Sequence, residues 1–411
     1  MYLQTSKYKL QRKKPRRFNL ALIFILCLFI IAAVYVQGYV VPSIPPLFMP
    51  TATPTRPAAS YAEDAARMYL EGKLKSSMEL YKQAIQLAPT DSDLYVALSR
   101  VQVFAHDYEG AIENAQYAVL LAKSAESYAV WGEAIHRMES TKDLPAYDNA
   151  VKQLRKSLEF DPSLALAHAY LAEVMMDTDW QYAEEAKAEA HTAISLEPGL
   201  MESHRAMAHV YRMTGNFLEA LDEYLKAIEL HSKLADLWIP LGDCYQAVSE
   251  PGKAIEAYLQ AATLDSTNPD PFARISRTYA GLGQFGTAQQ YAEMTVALGP
   301  FDPKNHGLLG VMYYYNHKYQ EAILELTLAI AGGTVDTGSE TGTVVGLPLD
   351  DWPVSEYYWT YGLALAKVGR CSEAIPIFRM LQQELSEDAI AMENVSEGLM
   401  ICKEITPTPS V

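Results

Sequence analysis

Met201 to Ser232 reads MESHRAMAHVYRMTGNFLEALDEYLKAIELHS, and this stretch decides the fold. Met207, Ala208 and Tyr211 recur at helical spacing until Gly215-Asn216 breaks the pattern. Phe217, Ala220, Leu221, Tyr224, Ala227 and Ile228 then resume it on a second helix. The unit is therefore two antiparallel helices joined by a tight turn. Ala208 and Ala220 suit the point where the two backbones cross, and Tyr211 and Tyr224 suit the gap to the next pair. One pair leaves an apolar face uncovered, so the unit demands neighbours.

Those neighbours are present. Small residues recur at Ala65, Ser99, Gly132, Ala172, Ala208, Gly242, Ser276, Gly310 and Gly362. A second ladder follows at Ser77, Ala111, Ala150, Ala186, Ala220, Ala254, Ala288, Ala322 and Ala374. From Ala208 to Gly310 the interval stays at 34 residues. Self-similarity at that period marks a helical repeat array, which presents surface to partners.

Trp238, Leu241-Gly242, Tyr245, Ala254, Tyr258 and Ala261 carry a more specific pattern, which resembles the tetratricopeptide repeat. Pro89, Pro162, Pro198 and Pro300 stand in that family's closing position. The resemblance implies an all-α fold, a right-handed α-α superhelix, here of nine repeats over residues 59–386; the one transmembrane helix expected before it is read from the apolar run described below. Extra residues lie between the helices of the third repeat, around Glu139 to Tyr147, and of the fourth, near Asp177 to Tyr182. A longer insert, 332–353, separates the eighth and ninth repeats; whether it is ordered is left open, and it is the second candidate for partner binding because long unstructured loops in compact arrays are commonly functional. Residues 387–405, with Met392, Val395, Leu399 and Cys402 on one stripe, resemble the family's capping helix.

The resemblance also implies that the first helix of each pair lines a concave face. The equivalent positions are Arg100, Glu133, Glu173, His209, Asp243 and Arg277. His136, Arg137, Arg205, Arg212, Tyr314, Tyr315 and Trp359 extend that face. All are expected to be exposed and to contact a protein or peptide partner. The alternative is a solvated ridge with internal pairs such as Asp243 with Arg277. The Lys and Asn pattern with which some members clamp a chaperone's C-terminal carboxylate is missing, so the resemblance does not extend to that partner.

Charge is uneven along the chain. Residues 1–18 hold seven basic side chains and no acid, which leaves 33 − 7 = 26 basic against 50 acidic residues, a net of −24, for the remainder. Such a body repels phosphate backbones, so no nucleic-acid partner is expected. Leu20 to Val41 is 22 residues without a charge, long enough as a helix to cross a bilayer. No A-x-A site follows, so residues 19–41 read as an uncleaved anchor rather than a signal peptide. The positive-inside rule then makes 1–18 a cytoplasmic tail and places the repeats on the extracytoplasmic side of a single-pass cell-membrane protein. Residues 42–58 form a proline-rich spacer, and 406–411 a tail containing Thr406-Pro407-Thr408-Pro409.

Catalytic chemistry has no foothold here. Gly281, Gly283 and Gly286 match G-x-G-x-x-G, but the string follows a helix rather than a strand and belongs to an inter-helix turn. The histidines offer no metal-ligand set; His204 and His209 lie about 140° apart around a helix. No C-x-x-C, serine elbow or phosphate loop occurs, and no cofactor, metal or catalytic residue is expected. Cys371 opens a second helix and Cys402 lies near the end of the cap helix, two points that meet at one edge of a stacked array. A disulfide between them is expected outside the cytoplasm, with buried free thiols as the alternative. The functional reading is a membrane-anchored scaffold or adaptor. A non-catalytic docking or regulatory subunit for a separate envelope enzyme is one alternative, and a cytosol-facing organelle import receptor another.

Overall fold

The computed structural model describes residues 19–40, 56–142, 145–349 and 353–405, with side chains to residue 403. The expected basic tail, most of the proline-rich spacer and the terminal tail lie outside these residues. The chain divides into two units, at Arg56 and Pro57. The first holds α1 (Leu20–Tyr35), which continues through a π-helical turn at Val36–Val40. Together these make one apolar helix of 21 residues, long enough to cross a membrane.

Among its described residues the regular structure of the second unit is helical apart from one hairpin. Among the described residues its helices fall into nine consecutive antiparallel pairs. They are α2 (Ala58–Leu70) with α3 (Leu74–Leu87), α4 (Ser92–Phe104) with α5 (Tyr108–Leu121), and α6 (Ala125–Glu139) with α7 (Asp148–Phe160). There follow α8 (Ala165–Thr178) with α9 (Ala183–Leu196), α10 (Met201–Met213) with α11 (Phe217–Leu230), and α12 (Ala235–Ala247) with α13 (Pro251–Leu264). The last three are α14 (Asp270–Gly281) with α15 (Phe285–Leu298), α16 (Pro303–Tyr315) with α17 (Tyr319–Ala331), and α18 (Val354–Lys367) with α19 (Cys371–Glu384). A final helix, α20 (Ala389–Ile405), packs against α18 and α19.

The two ladders of small residues are where paired backbones meet. Ser77 donates from Oγ to the carbonyl of Ala65 at 2.8 Å, and Ser99 and Ser276 do the same to Ala111 and Ala288. All three serines are fully buried, so each hydroxyl is satisfied by the facing helix. At Gly242 a Cβ would stand only 2.4 Å from the Tyr258 ring, which is why the crossing admits no side chain there. Among the described residues seven of the turns within pairs use one left-handed residue, as at Gly215, whose φ is +78°. Asn216 N–H then donates to the Tyr211 carbonyl at 2.8 Å and closes the helix end.

The insert is not an unstructured loop. Gly333–Asp336 (β1) pairs antiparallel with Thr341–Val344 (β2). Val344 is buried, Leu347 N–H donates to the Ala329 carbonyl at 2.9 Å, and Tyr358 OH donates to the Leu347 carbonyl at 2.8 Å. The segment is thereby tied to both flanking pairs; residues 350–352 of it lie outside the described ones. In the fourth repeat the extra residues form a single 3-10 turn, Trp180–Tyr182, with Trp180 exposed. The third repeat's insertion includes Asp143 and Leu144, which are not described.

Candidate functional site

The first helices α4, α6, α8 and α10 pack successively against one another, and their inner sides converge. Arg100 on α4 donates from Nη2 to Glu202 Oε1 on α10 at 2.6 Å. Arg205, one turn further along α10, donates from Nε to Glu173 Oε1 at 2.7 Å and from Nη2 to Glu133 Oε1 at 3.0 Å. Arg137 donates from Nε to Glu133 Oε1 at 2.7 Å and also bonds Glu173. Asp177 lies 2.8 Å from Nε2 of both His136 and His209, and Arg212 completes the chain against His209 Nδ1 at 3.2 Å. The Arg205 guanidinium also lies over the rings of Phe104 and Tyr170.

These groups are buried. Glu133, Glu173 and Glu202 are each 2% exposed, Arg205 6% and His136 0%. Burial alone would push the carboxyls up, but the charges of Arg137 and Arg205 outweigh it at Glu133, and those of Arg100 and Arg205 at Glu202. Both end below the ordinary carboxylate range. Burial opposes the imidazolium at His136, yet hydrogen bonds to Asp177 and Glu133 hold it above its ordinary value.

The expectation that all thirteen residues of this face are exposed is therefore corrected: among them only Tyr315 is. Glu133, His136, Glu173 and Arg205 are sealed in, and Arg100, Arg137, His209 and Arg212 are committed around them. Trp359 is also buried and packs in the core of the last repeats. Asp243 does not pair with Arg277. It lies 2.9 Å from Arg274 Nη1 and accepts from Tyr258 OH at 2.8 Å.

Glu133, His136 and Glu173 place three ligand-type atoms within 4.8 Å of one another, a grouping the sequence reading did not find. Both carboxylates already hold guanidinium groups, so a metal would have to displace Arg137 and Arg205. The cluster is a neutralised ion-pair network by its own composition. Three histidines missed as a set, His168, His204 and His306, have a structural role. Each bridges a carboxylate of its partner helix, Glu189, Glu223 or Glu325, to the carbonyl of Pro162, Pro198 or Pro300.

The first repeat returns onto this inner cluster. The Tyr69 ring packs edge-on to His231 with centroids 4.7 Å apart, and a Cβ at Gly72 would stand 2.8 Å from Lys233. Repeats one and two thus meet repeats five and six across the inner side.

The last three repeats differ. Arg277 on α14 donates from Nη2 to Tyr357 OH at 3.2 Å and stands 3.7 Å from Glu356 on α18. Arg277 and Glu356, with Phe285, Met312 and Tyr315, bound a cavity of about 320 Å³. Tyr315 stacks on Phe285, centroids 4.7 Å apart, and keeps 41% of its surface exposed; Tyr314 lies edge-on beside it. Burial pushes the Glu356 carboxyl up, and Arg277 only partly opposes this. Neither Glu202 nor Glu356 was singled out in the sequence. Each stands six residues before a ladder position, Ala208 or Gly362, but acids are favoured in the first turn of any helix, so the signal was not distinctive.

At the far end Cys371 and Cys402 form a disulfide with Cα atoms 5.5 Å apart, joining α19 to α20. Cys244 is a buried free thiol.

No protein-family model matches the chain. Among curated proteins it is similar to the human protein O-mannosyl-transferase TMTC1, with 25% identity over 214 residues. That match covers 50% of this chain and 22% of the relative, so the chain spans about a fifth of that protein's length. Among solved structures it is similar to pilF of Pseudomonas aeruginosa, at 19% identity and a TM-score of 0.46, covering 58% of this chain and 98% of that one. A thermophilic TPR protein of Thermus thermophilus matches at 22% identity and a TM-score of 0.40, over 46% and 99% of the two chains. A tetratricopeptide repeat protein of Parabacteroides merdae matches at 14% identity and a TM-score of 0.40, over 62% and 98%. Its nine antiparallel helix pairs make an all-α repeat solenoid whose signature residues resemble the tetratricopeptide repeat. Stacked repeats of this build form extended surfaces of the kind that partners bind.

Proposed function

We propose that this scaffold is held at a membrane by residues 20–40 with its repeats on the extracytoplasmic side, and that it binds a protein or peptide on the inner side of repeats seven to nine. One observation carries the location. The inner side of repeats two to five is filled by its own ion pairs, whereas the cavity beside Tyr315 opens to solvent. The orientation rests on the seven basic residues that precede the apolar helix.

A photo-crosslinking residue in place of Tyr315 tests the location. It is expected to capture a partner in intact membranes, while the same residue in place of the outward-facing Arg155 captures none. Capture from Val345, the residue after β2, and not from position 315, would move the site to the insert. A reporter active only in the cytoplasm, fused after Val411, is expected to be silent; activity there overturns the orientation.

A second reading is a docking subunit that presents substrate to a separate enzyme. The 214-residue likeness to a protein O-mannosyl-transferase favours it. An enzyme recovered in stoichiometric crosslinks from position 315 would select this reading over a passive scaffold.

A further inference from the structure

We propose that the cavity beside Tyr315 receives a cationic side chain, the lysine or arginine of a peptide partner, whose charged head bonds Glu356 while its stem lies along Tyr315 and Phe285. This rests on the reading that the inner side of repeats seven to nine takes the partner, and it assigns that partner a chemistry.

Two sets of inner-side acids contrast with each other. In the first half of the array each buried carboxylate has a cation in hydrogen-bond contact. Glu202 has Arg100 at 2.6 Å, Glu173 has Arg205 at 2.7 Å, Glu133 has Arg137 at 2.7 Å, and Asp177 has two histidines at 2.8 Å. Glu356 has no such contact among the described residues. Its paired cation is Arg277 at 3.7 Å, beyond hydrogen-bond range, and that guanidinium donates to Tyr357 instead. The Glu356 side chain is 18% exposed and lines the cavity. A carboxylate in that position is expensive to leave without donors. Its raised pKa, caused by burial, is the same fact seen electrostatically.

The walls suit a cation on a hydrocarbon stem. Tyr315 and Phe285 form a near-parallel aromatic pair, 12° between planes, with the tyrosine side open to the cavity. Aromatic faces attract ammonium and guanidinium groups, more strongly when water is excluded. Met312 supplies an apolar side for the methylenes. Glu397 adds negative potential at Tyr314 and Tyr315, although Lys367 lies 3.2 Å from it. The body beyond residue 18 carries a net −24, which draws a basic peptide and repels an acidic one.

The test uses the full chain in detergent micelles and two fluorescein-labelled peptides. One is Gly-Ser-Lys-Gly-Lys-Ser-Gly, and the other has norleucine at both lysine positions. Fluorescence anisotropy is expected to show the lysine peptide binding about tenfold tighter, with Glu356→Gln reducing the ratio to within about twofold. Glu219→Gln, on an exposed outer position, is expected to leave the ratio unchanged, which separates a site from general attraction to an acidic body. Glu356→Gln is nearly isosteric and removes a partly buried carboxylate that accepts no hydrogen bond among the described residues, so an unchanged melting temperature shows the variant is folded. Equal binding of the two peptides, no saturable binding of the lysine peptide, or a preference that survives Glu356→Gln would each overturn the proposal. The two readings fail separately. Loss of crosslinking from position 315 sinks the location, whereas crosslinking kept without lysine preference sinks the cationic site alone.

Discussion

Arg100 and Glu202 are 102 residues and three repeats apart, yet the Nη2 of one lies 2.6 Å from the Oε1 of the other. With Arg205 bonded to Glu133 and Glu173, this contact turns the inner side of the first half of the array into a second, polar core. A helical array usually depends on nearest neighbours only. Here repeats two, three, four and five are also tied across the curve.

Arg205 should therefore matter for stability rather than for recognition. Arg205→Ala leaves Glu133 and Glu173 short of their counter-charge and is expected to cost about 3–5 kcal/mol in urea unfolding. Arg205→Glu should cost more still. A charge reversal there with an unchanged unfolding midpoint would show that the network is dispensable.

The helix crossings admit no added volume. Gly242→Ala places a methyl against the Tyr258 ring and is expected to cost about 1–3 kcal/mol, with Gly242→Leu worse. Gly252→Ala, where nothing lies within 4 Å, is the control and should be neutral or slightly stabilising. Thermal unfolding of the three variants checks the order.

The Cys371–Cys402 bridge closes a loop of sequence separation 31 at the exposed end of the array. In the chain-entropy model its reduction is expected to cost about 3–4 kcal/mol. Hydrogen exchange should show the loss concentrated in α19 and α20. Alkylation of both thiols without prior reduction would show that the bridge does not form.

The bridging histidines set a pH dependence. The hydrogen bond to Glu189 raises His168 against the opposing effect of burial; at His306 burial opposes, and Glu325 and the Pro300 carbonyl outweigh it. Both folded values exceed the unfolded one, about 6.5. The stability they contribute is fully present below about 6.5 and is lost as pH rises through the folded values. The melting temperature should fall across that window at fixed ionic strength, and His168→Gln with His306→Gln should flatten the fall. At the acid end Glu133, Glu202 and Asp177 are held low, so their contribution is lost only as pH drops below about 4.

By itself the sequence determined the helix pairs, their crossing points and their number, because these depend on spacing within about 34 residues. Ala208 and Ala220 announce a crossing wherever they stand. Which inner side chains would be free was decided only by the tertiary structure. Arg205 and Trp359 occupy the same register, three residues before a ladder position, and both are buried against groups from other repeats. Arg277 looks equivalent to Asp243's partner in sequence, but Arg274 takes that place. Such outcomes depend on the curvature accumulated over several repeats, which sets whether inner faces meet or stay apart. A periodic pattern records the repeat, not the small rotation between repeats, and that rotation is what closes one half of the inner side and leaves Tyr315 and the partly buried Glu356 lining an open cavity.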